Sequence, residues 1–152
     1  MALVQKDYIL RLIESVSAAI ARVVKRKEAG DLTGARREVD IALAELLGTS
    51  GRLVPLMDSR TASELVCDSR RVTAWALLLR EDADVCRLML RDAEAVSVER
   101  RGLELLLEAW MRDRSLPTEA IAALESLRGR VDPRTLDPRY RDALGTVQKA
   151  PT

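Results

Sequence analysis

The sequence predicts an all-α protein of about six to seven helices, arranged as antiparallel hairpins. Apolar residues recur at the spacing of a helix face along most of the 152 residues. At Gly30-Asp31, a glycine that can end one helix is followed by an aspartate that can cap the next. The composition, 47% hydrophobic and 32% charged, is typical of a folded globular chain. We therefore expect a single all-helical domain over residues 1–152.

The first hairpin is predicted over about residues 4–47. Its first helix carries an apolar stripe formed by Ile9, Leu12, Ile13, Val16, Ala19, Ile20, Val23 and Val24. Ala35 and Ala42 fall on one face of the second helix, where small side chains allow a close approach of the first. The spacing of Gly30, Ala35 and Ala42 is similar to the small-residue pattern of a tetratricopeptide-like hairpin.

The rest of the chain is predicted to contain an insert, a second hairpin and C-terminal helices. Residues 48–51 have the composition of a loop, and a short helical insert follows over about residues 53–66. The second hairpin is expected over about residues 69–112. The last helices are expected over about residues 117–148, where Pro117 can begin one of them.

An internal repeat relates the two predicted hairpins. A shift of 60 residues pairs Ala35 with Ala95, Ala42 with Gly102, and Leu43, Leu46 and Leu47 with Leu103, Leu106 and Leu107. Two pairs do not match, because Gly30 is opposite Leu90 and Val39 is opposite Glu99. The pattern indicates two related hairpins around an irregular insert.

The N-terminal helix also resembles a known family. Its opening, Gln5–Glu14, reads QKDYILRLIE, and it is followed by the Gly30-Asp31 turn and by ALAELL at Ala42–Leu47. These segments resemble an uncharacterised family of bacterial helical proteins, known as a domain of unknown function. Ala83-Asp84-Val85 and the Leu103–Ala109 helix are also similar to that family. The resemblance implies an all-helical, tetratricopeptide-like fold, and it implies no activity.

The residues that most enzymes depend on are missing. The chain has no histidine, so catalysis that pairs serine or cysteine with histidine is excluded. Glu104 and Glu108 are one helical turn apart, but without a second carboxylate motif a solvated or salt-bridged face is expected rather than a metal site. Cys86 is expected in the core and Cys67 is expected to be structural. We therefore predict no enzyme, no cofactor and no metal.

The charge distribution bears on partners and compartment. The net charge is +1, and acidic residues are interleaved with the pairs Arg36-Arg37, Arg70-Arg71 and Arg100-Arg101, which argues against nucleic-acid binding. The segment from Arg80 to Arg87, which contains three carboxylates, is expected to form an ion-pair network. The longest uncharged stretch, Val72–Leu79, is too short to span a membrane, and no export signal is recognised. A cytoplasmic protein without a membrane partner is expected.

The leading prediction for function is a protein or peptide interaction module without catalytic activity. Its partner is expected along the face of the first and fourth helices, and Lys6, Tyr8 and Arg11 are the candidate contact residues. Alternatively, Tyr8 packs at a helix–helix rim and Arg11 is solvated. Trp75 and Trp110 lie in apolar stripes and are expected in the core. Two other functions remain open: a structural homodimer or larger homo-oligomer that buries its first helix, and an anion or nucleic-acid binder that uses the arginine pairs.

Overall fold

The computed structural model describes the backbone of residues 2–149 and the side chains of residues 6–148. The described part of the chain consists of seven α-helices, three 3₁₀ helices and their connections, without a strand, which confirms the predicted all-α class. The α-helices are α1 (Ala2–Glu28), α2 (Leu32–Leu47), α3 (Ser59–Val66), α4 (Ser69–Leu88), α5 (Asp92–Asp113), α6 (Thr118–Arg128) and α7 (Pro138–Lys149). The 3₁₀ helices are Gly48–Arg52, Val54–Leu56 and Pro133–Thr135.

Aspartate side chains fix the start of three helices. Asp58 accepts the backbone N–H of Thr61 over 2.8 Å, so α3 begins at Ser59. Asp31 and Asp68 accept N–H groups of the first turns of α2 and α4 in the same way. Each aspartate satisfies donors that a helix start would otherwise leave unbonded.

The connection between the two hairpins is more helical than predicted. Residues 48–51, expected to be a loop, form most of the 3₁₀ helix Gly48–Arg52. The 3₁₀ helix Val54–Leu56 follows, and Pro55 occupies an early position where its missing N–H costs nothing. Val54 is buried, so this connection is packed against the bundle and does not loop away from it.

The helices pack so that α4 is central. It contacts α1 and α2 of the first hairpin, its partner α5, and α6 of the C-terminal part, while α7 packs on α5. The packing of α5 is close at Gly102, where an added Cβ would lie 3.3 Å from Leu127 Cδ1 of α6 and 3.7 Å from the Ala76 carbonyl oxygen of α4. The missing side chain therefore lets α5 lie near the α4 backbone.

Residues predicted to be in the core are buried. Trp75 and Trp110 are 4% and 7% exposed, and Cys86 is fully enclosed. Cys67 ends α3 and is exposed, with a positive φ of 73°. A continuous core runs from α1 to α7 and is formed by Leu12, Val16, Leu46, Leu78, Leu103, Leu106, Leu124, Leu127, Tyr140 and their neighbours.

Candidate functional site

A groove of about 950 Å³ lies between α1, α4 and the start of α6. Its apolar lining is formed by Ile13, Val16, Ile20, Ala74, Leu77, Pro117, Ala122 and Ala123. The helices α1 and α4 are the two along which a partner was expected from the sequence, and that expectation stays a prediction. The contribution of α6 was not predicted, because nothing in the sequence shows where this helix docks.

The helical repeat explains why these residues face the same space. The α1 residues of the lining are at positions 13, 16, 17 and 20, which is the i, i+3, i+4, i+7 pattern of one helix face. The α4 residues extend from Ser69 to Glu81, which corresponds to about 18 Å along the helix axis at 1.5 Å per residue. The groove is therefore long enough for about three turns of another helix.

Charged side chains surround the apolar lining. They are Arg70, Arg80, Glu81, Asp113 and Glu119, so two arginines face three carboxylates and leave one net negative charge. Glu81 accepts hydrogen bonds from Arg80 over 2.9 Å and from Lys27 over 3.3 Å. These bonds hold that part of the rim in place.

The acidic cluster of α4 forms ion pairs, and one of its two predicted arginine partners pairs elsewhere. Arg80 pairs with Glu81 over 2.9 Å and with Asp84 over 3.9 Å, as expected. Arg87 was predicted to join them, and it pairs instead with Glu99 of α5. The reason is that the carboxylate of Glu99 is only 1% exposed and needs a compensating charge, which Arg87 supplies from the edge of the core.

Lys6, Tyr8 and Arg11 are all exposed, and none of them lines the groove. At about 100° per residue, Lys6 lies within about 30° of the groove face, whereas Tyr8 and Arg11 lie about 130° and 170° from it. Tyr8 and Arg11 share the flank of α1 that carries Ser15, whose hydroxyl donates to Glu45 of α2. The three residues thus do not form a single surface, and their role in binding stays a prediction.

The paired glutamates of α5 have protein partners. Glu108 is buried and accepts hydrogen bonds from Arg139 and from the Tyr140 hydroxyl, each over 2.9 Å. Glu104 accepts a hydrogen bond from the Ser59 hydroxyl over 2.7 Å. The predicted salt bridge is present, but Glu108 is enclosed and not solvated. Within residues 2–149, no group of three or more acidic or cysteine side chains is arranged to hold a metal ion.

The arginine pairs are engaged by separate neighbours. Arg36 pairs with Asp82 over 3.3 Å and also with Glu94, and Arg70 pairs with Asp68 over 3.1 Å. The charges of Arg36 and Arg70 are therefore compensated within the protein. Arg101 differs from these two, because its hydrogen bonds go to a hydroxyl and to a backbone carbonyl. Arg71 likewise donates to a backbone carbonyl, that of Leu46. The sequence offered no signal for this difference, since all three pairs look alike.

Arg101 lines a second pocket, of about 500 Å³, between α2, the 3₁₀ helices that follow it, α4 and α5. Its guanidinium lies over the ring of Trp75, with 5.5 Å between the central carbon and the ring centroid. This pocket shares no lining residue with the groove. The molecule therefore offers two separate concave sites.

Comparison of the chain with protein-family models, with curated proteins and with solved structures finds no match. The resemblance to a bacterial helical family stays a prediction on the residues that carry it. Among the helices that the structure describes, none combines the length and apolar character needed to cross a membrane.

Proposed function

We propose that this chain is a non-catalytic interaction module that binds an amphipathic helix of a partner protein in the groove between α1, α4 and α6. The observation that carries the proposal is the apolar lining of a groove about 18 Å long on the surface of the bundle. Exposed concave apolar surfaces bordered by polar residues are typical of binding sites.

The order of the helices supports a tetratricopeptide-like interpretation. The helices α1 and α4 are each followed by a helix that packs against them, namely α2 and α5, and α6 is followed by α7, which packs on α5. The groove is lined by α1, α4 and α6, α5 contributes only its last residue, Asp113, and α2 and α7 contribute no lining residue. Stacked helical pairs commonly present such a concave surface to a partner.

The shape and charge of the groove indicate the chemistry of the partner. Ala74, Ala122 and Ala123 are small, so they leave room for leucine-sized side chains at i, i+3, i+4 and i+7 of an incoming helix. The net negative rim favours lysine or arginine on both sides of that apolar stripe. A partner helix of about twelve residues matches the length of the groove.

The proposal is tested by selecting binders from a displayed library of peptides of about 14 residues. We expect the selected peptides to share an apolar stripe of helical period with basic flanks. We also expect Ser17→Arg, which places a long side chain in the groove, to weaken their binding at least about tenfold.

Ala18→Arg is the matched control, because Ala18 is the next residue of α1, is exposed, and does not line the groove. Its affinity for the same peptides should stay within about twofold of the original. Selected peptides without a helical stripe, or an equal effect of both substitutions, would contradict the proposal. So would a dimer in light scattering that only Ser17→Arg dissociates, because the groove would then hold a second copy of this chain.

A further inference from the structure

We propose that the second pocket binds a small organic monocarboxylate, with Arg101 as the partner of the carboxylate and the apolar wall as the partner of the ligand body. This site is independent of the groove, because it lies among other residues. Its volume of about 500 Å³ is in the usual range of small-molecule sites and is too small for a folded partner.

The pocket combines an apolar wall with one partly buried arginine, Arg101. The wall is formed by Leu43, Leu47, Val54, Trp75 and Leu79. Asp40 and Arg52, which are both exposed, line it as well and have opposite charges. The two cancel, so Arg101 decides the sign of the charge that the pocket attracts.

Arg101 has unused capacity for hydrogen bonds. Its Nη1 donates to the Ser59 hydroxyl over 3.2 Å, and its Nη2 donates to the Val54 carbonyl over 2.7 Å. A guanidinium has five N–H donors, so these two bonds leave others for a ligand. Both acceptors are neutral, and a carboxylate would add a charge-assisted pair.

The contrast with two other arginines shows what is missing at Arg101. Arg87 and Arg139 hydrogen-bond to the buried carboxylates of Glu99 and Glu108, and these bonds raise their pKa values. Burial instead lowers the pKa of Arg101 by more than the nearby charges of Glu104 and Asp58 raise it. Among the described side chains, no carboxylate forms an ion pair with Arg101 within 4.0 Å.

Two carboxylates, Glu104 and Asp58, act on Arg101 by their charge, but neither is hydrogen-bonded to its guanidinium. The Ser59 hydroxyl that accepts from Arg101 itself donates to Glu104 over 2.7 Å, so the carboxylate acts on Arg101 through the hydroxyl. Trp75 covers one face of the guanidinium with its π system and adds a contact that a carboxylate does not disturb. Arg101 is thus held in place by neutral groups, as an anion-binding residue needs to be.

Binding is tested with octanoate, and with 1-octanol as an uncharged probe of nearly the same shape. The two indole N–H resonances of the chain serve as reporters, because Trp75 lines the pocket and Trp110 does not. We expect octanoate to shift the Trp75 resonance in a saturable way and to leave the Trp110 resonance in place. Octanol should bind at least about tenfold more weakly, since it lacks the charge.

Two substitutions locate the site. Arg101→Gln should remove the preference for octanoate over octanol, while Arg37→Gln, at an exposed arginine outside the pocket, should keep it. Ala44→Trp should block the pocket and leave Arg101 itself unchanged, because Ala44 is an exposed residue of its lining. Ala44→Trp still tests whether the ligand binds in this pocket if Arg101→Gln does not fold. Misfolding of Arg101→Gln is a concern because Arg101 also donates a hydrogen bond to the Val54 carbonyl.

Three results would overturn the inference. The first is equal affinity for octanoate and octanol. The second is a Trp75 resonance that does not move at about 10 mM octanoate, where even a Kd of about 1 mM would give near-saturation. The third is undiminished binding to Ala44→Trp, which would place the acid elsewhere on the protein.

Discussion

Leu90 adopts the same left-handed backbone conformation as Gly30, the residue 60 positions earlier, with φ values of 61° and 79°. At both turns the next backbone N–H donates to the carbonyl five residues back, over 2.9 Å at Asp31 and 2.8 Å at Arg91. The turn of the second hairpin therefore repeats the backbone of the first, although leucine replaces glycine. A leucine is strained in this conformation, because its Cβ crowds the following carbonyl oxygen.

Leu90→Gly is expected to raise the free energy of unfolding by about 0.5–1 kcal/mol. The left-handed conformation costs leucine about 1–2 kcal/mol, which exceeds the extra backbone entropy that glycine loses on folding. Little burial is lost, because Leu90 is 87% exposed. Urea denaturation of the two proteins measures the difference.

Leu88→Gly is the control for this prediction. Leu88 is also exposed, but it is the last residue of α4 and has a helical backbone. Glycine there should lower the free energy of unfolding by up to about 1 kcal/mol. A loss of stability in Leu90→Gly of the same size would show that the left-handed turn is not strained.

The helix boundaries could be predicted because their signals are local. Gly30 and Asp31 act on backbone groups within a few residues of themselves, and α1 ends and α2 begins there, as the sequence indicated. Leu90 shows the limit of this reasoning. The residues around Leu90 carry no turn signal, and the conformation of Leu90 follows from the packing of α4 against α5.

The charged part of the core could not be predicted. Val39 and Glu99 are equivalent in the 60-residue repeat, and both are buried, at 0% and 1% exposure. Glu99 is accommodated because Arg87 and Arg130 donate to it from other parts of the chain. The same holds for the candidate site. Lys6, Tyr8 and Arg11 were chosen for their place near one end of the first helix, whereas the face of α1 that borders the groove depends on where α4 and α6 pack.

Glu99→Gln is expected to lower the free energy of unfolding by about 1.5–3 kcal/mol, the usual range for a hydrogen bond to a charged group. Both carboxylate oxygens of Glu99 accept from Arg87, over 3.0 Å and 2.5 Å, and an amide can replace only one of these acceptors. Denaturation of Glu99→Gln, Arg87→Gln and the double variant gives the coupling energy, which should exceed about 1 kcal/mol.

Glu125→Gln provides the comparison, because Glu125 pairs with Arg128 over 2.8 Å at the surface. Loss of this ion pair should change the free energy of unfolding by less than about 0.5 kcal/mol, as is usual for exposed ion pairs. Equal effects at Glu99 and Glu125, or additive effects of the Glu99 and Arg87 substitutions, would mean that the buried pair contributes no more than a surface one.

A second buried carboxylate is bound by a tyrosine. The Tyr140 hydroxyl donates to Glu108 Oε1 over 2.9 Å, and both residues are buried between α5 and α7. Burial raises the pKa of Tyr140 well above its ordinary value, and the negative charge of Glu108 raises it further. The folded protein therefore holds the phenolic proton more tightly than the unfolded chain does.

This difference predicts how stability depends on pH. Because the pKa of Tyr140 is higher in the folded state, its contribution to the free energy of unfolding is complete below the unfolded pKa of about 10 and is lost as pH rises above it. Tyr140→Phe should lower the free energy of unfolding by about 1 kcal/mol at neutral pH, since Glu108 loses a hydrogen-bond donor. This loss of stability should become smaller above about pH 10.

Tyr8→Phe is the control, because the side chain of Tyr8 is exposed. Its free energy of unfolding should stay within about 0.5 kcal/mol of that of the original protein at neutral pH. The prediction is wrong if the free energies of unfolding of Tyr140→Phe and the original protein differ by the same amount at every pH between about 8 and 12. The pKa of Tyr140 would then be the same in the folded protein and in the unfolded chain.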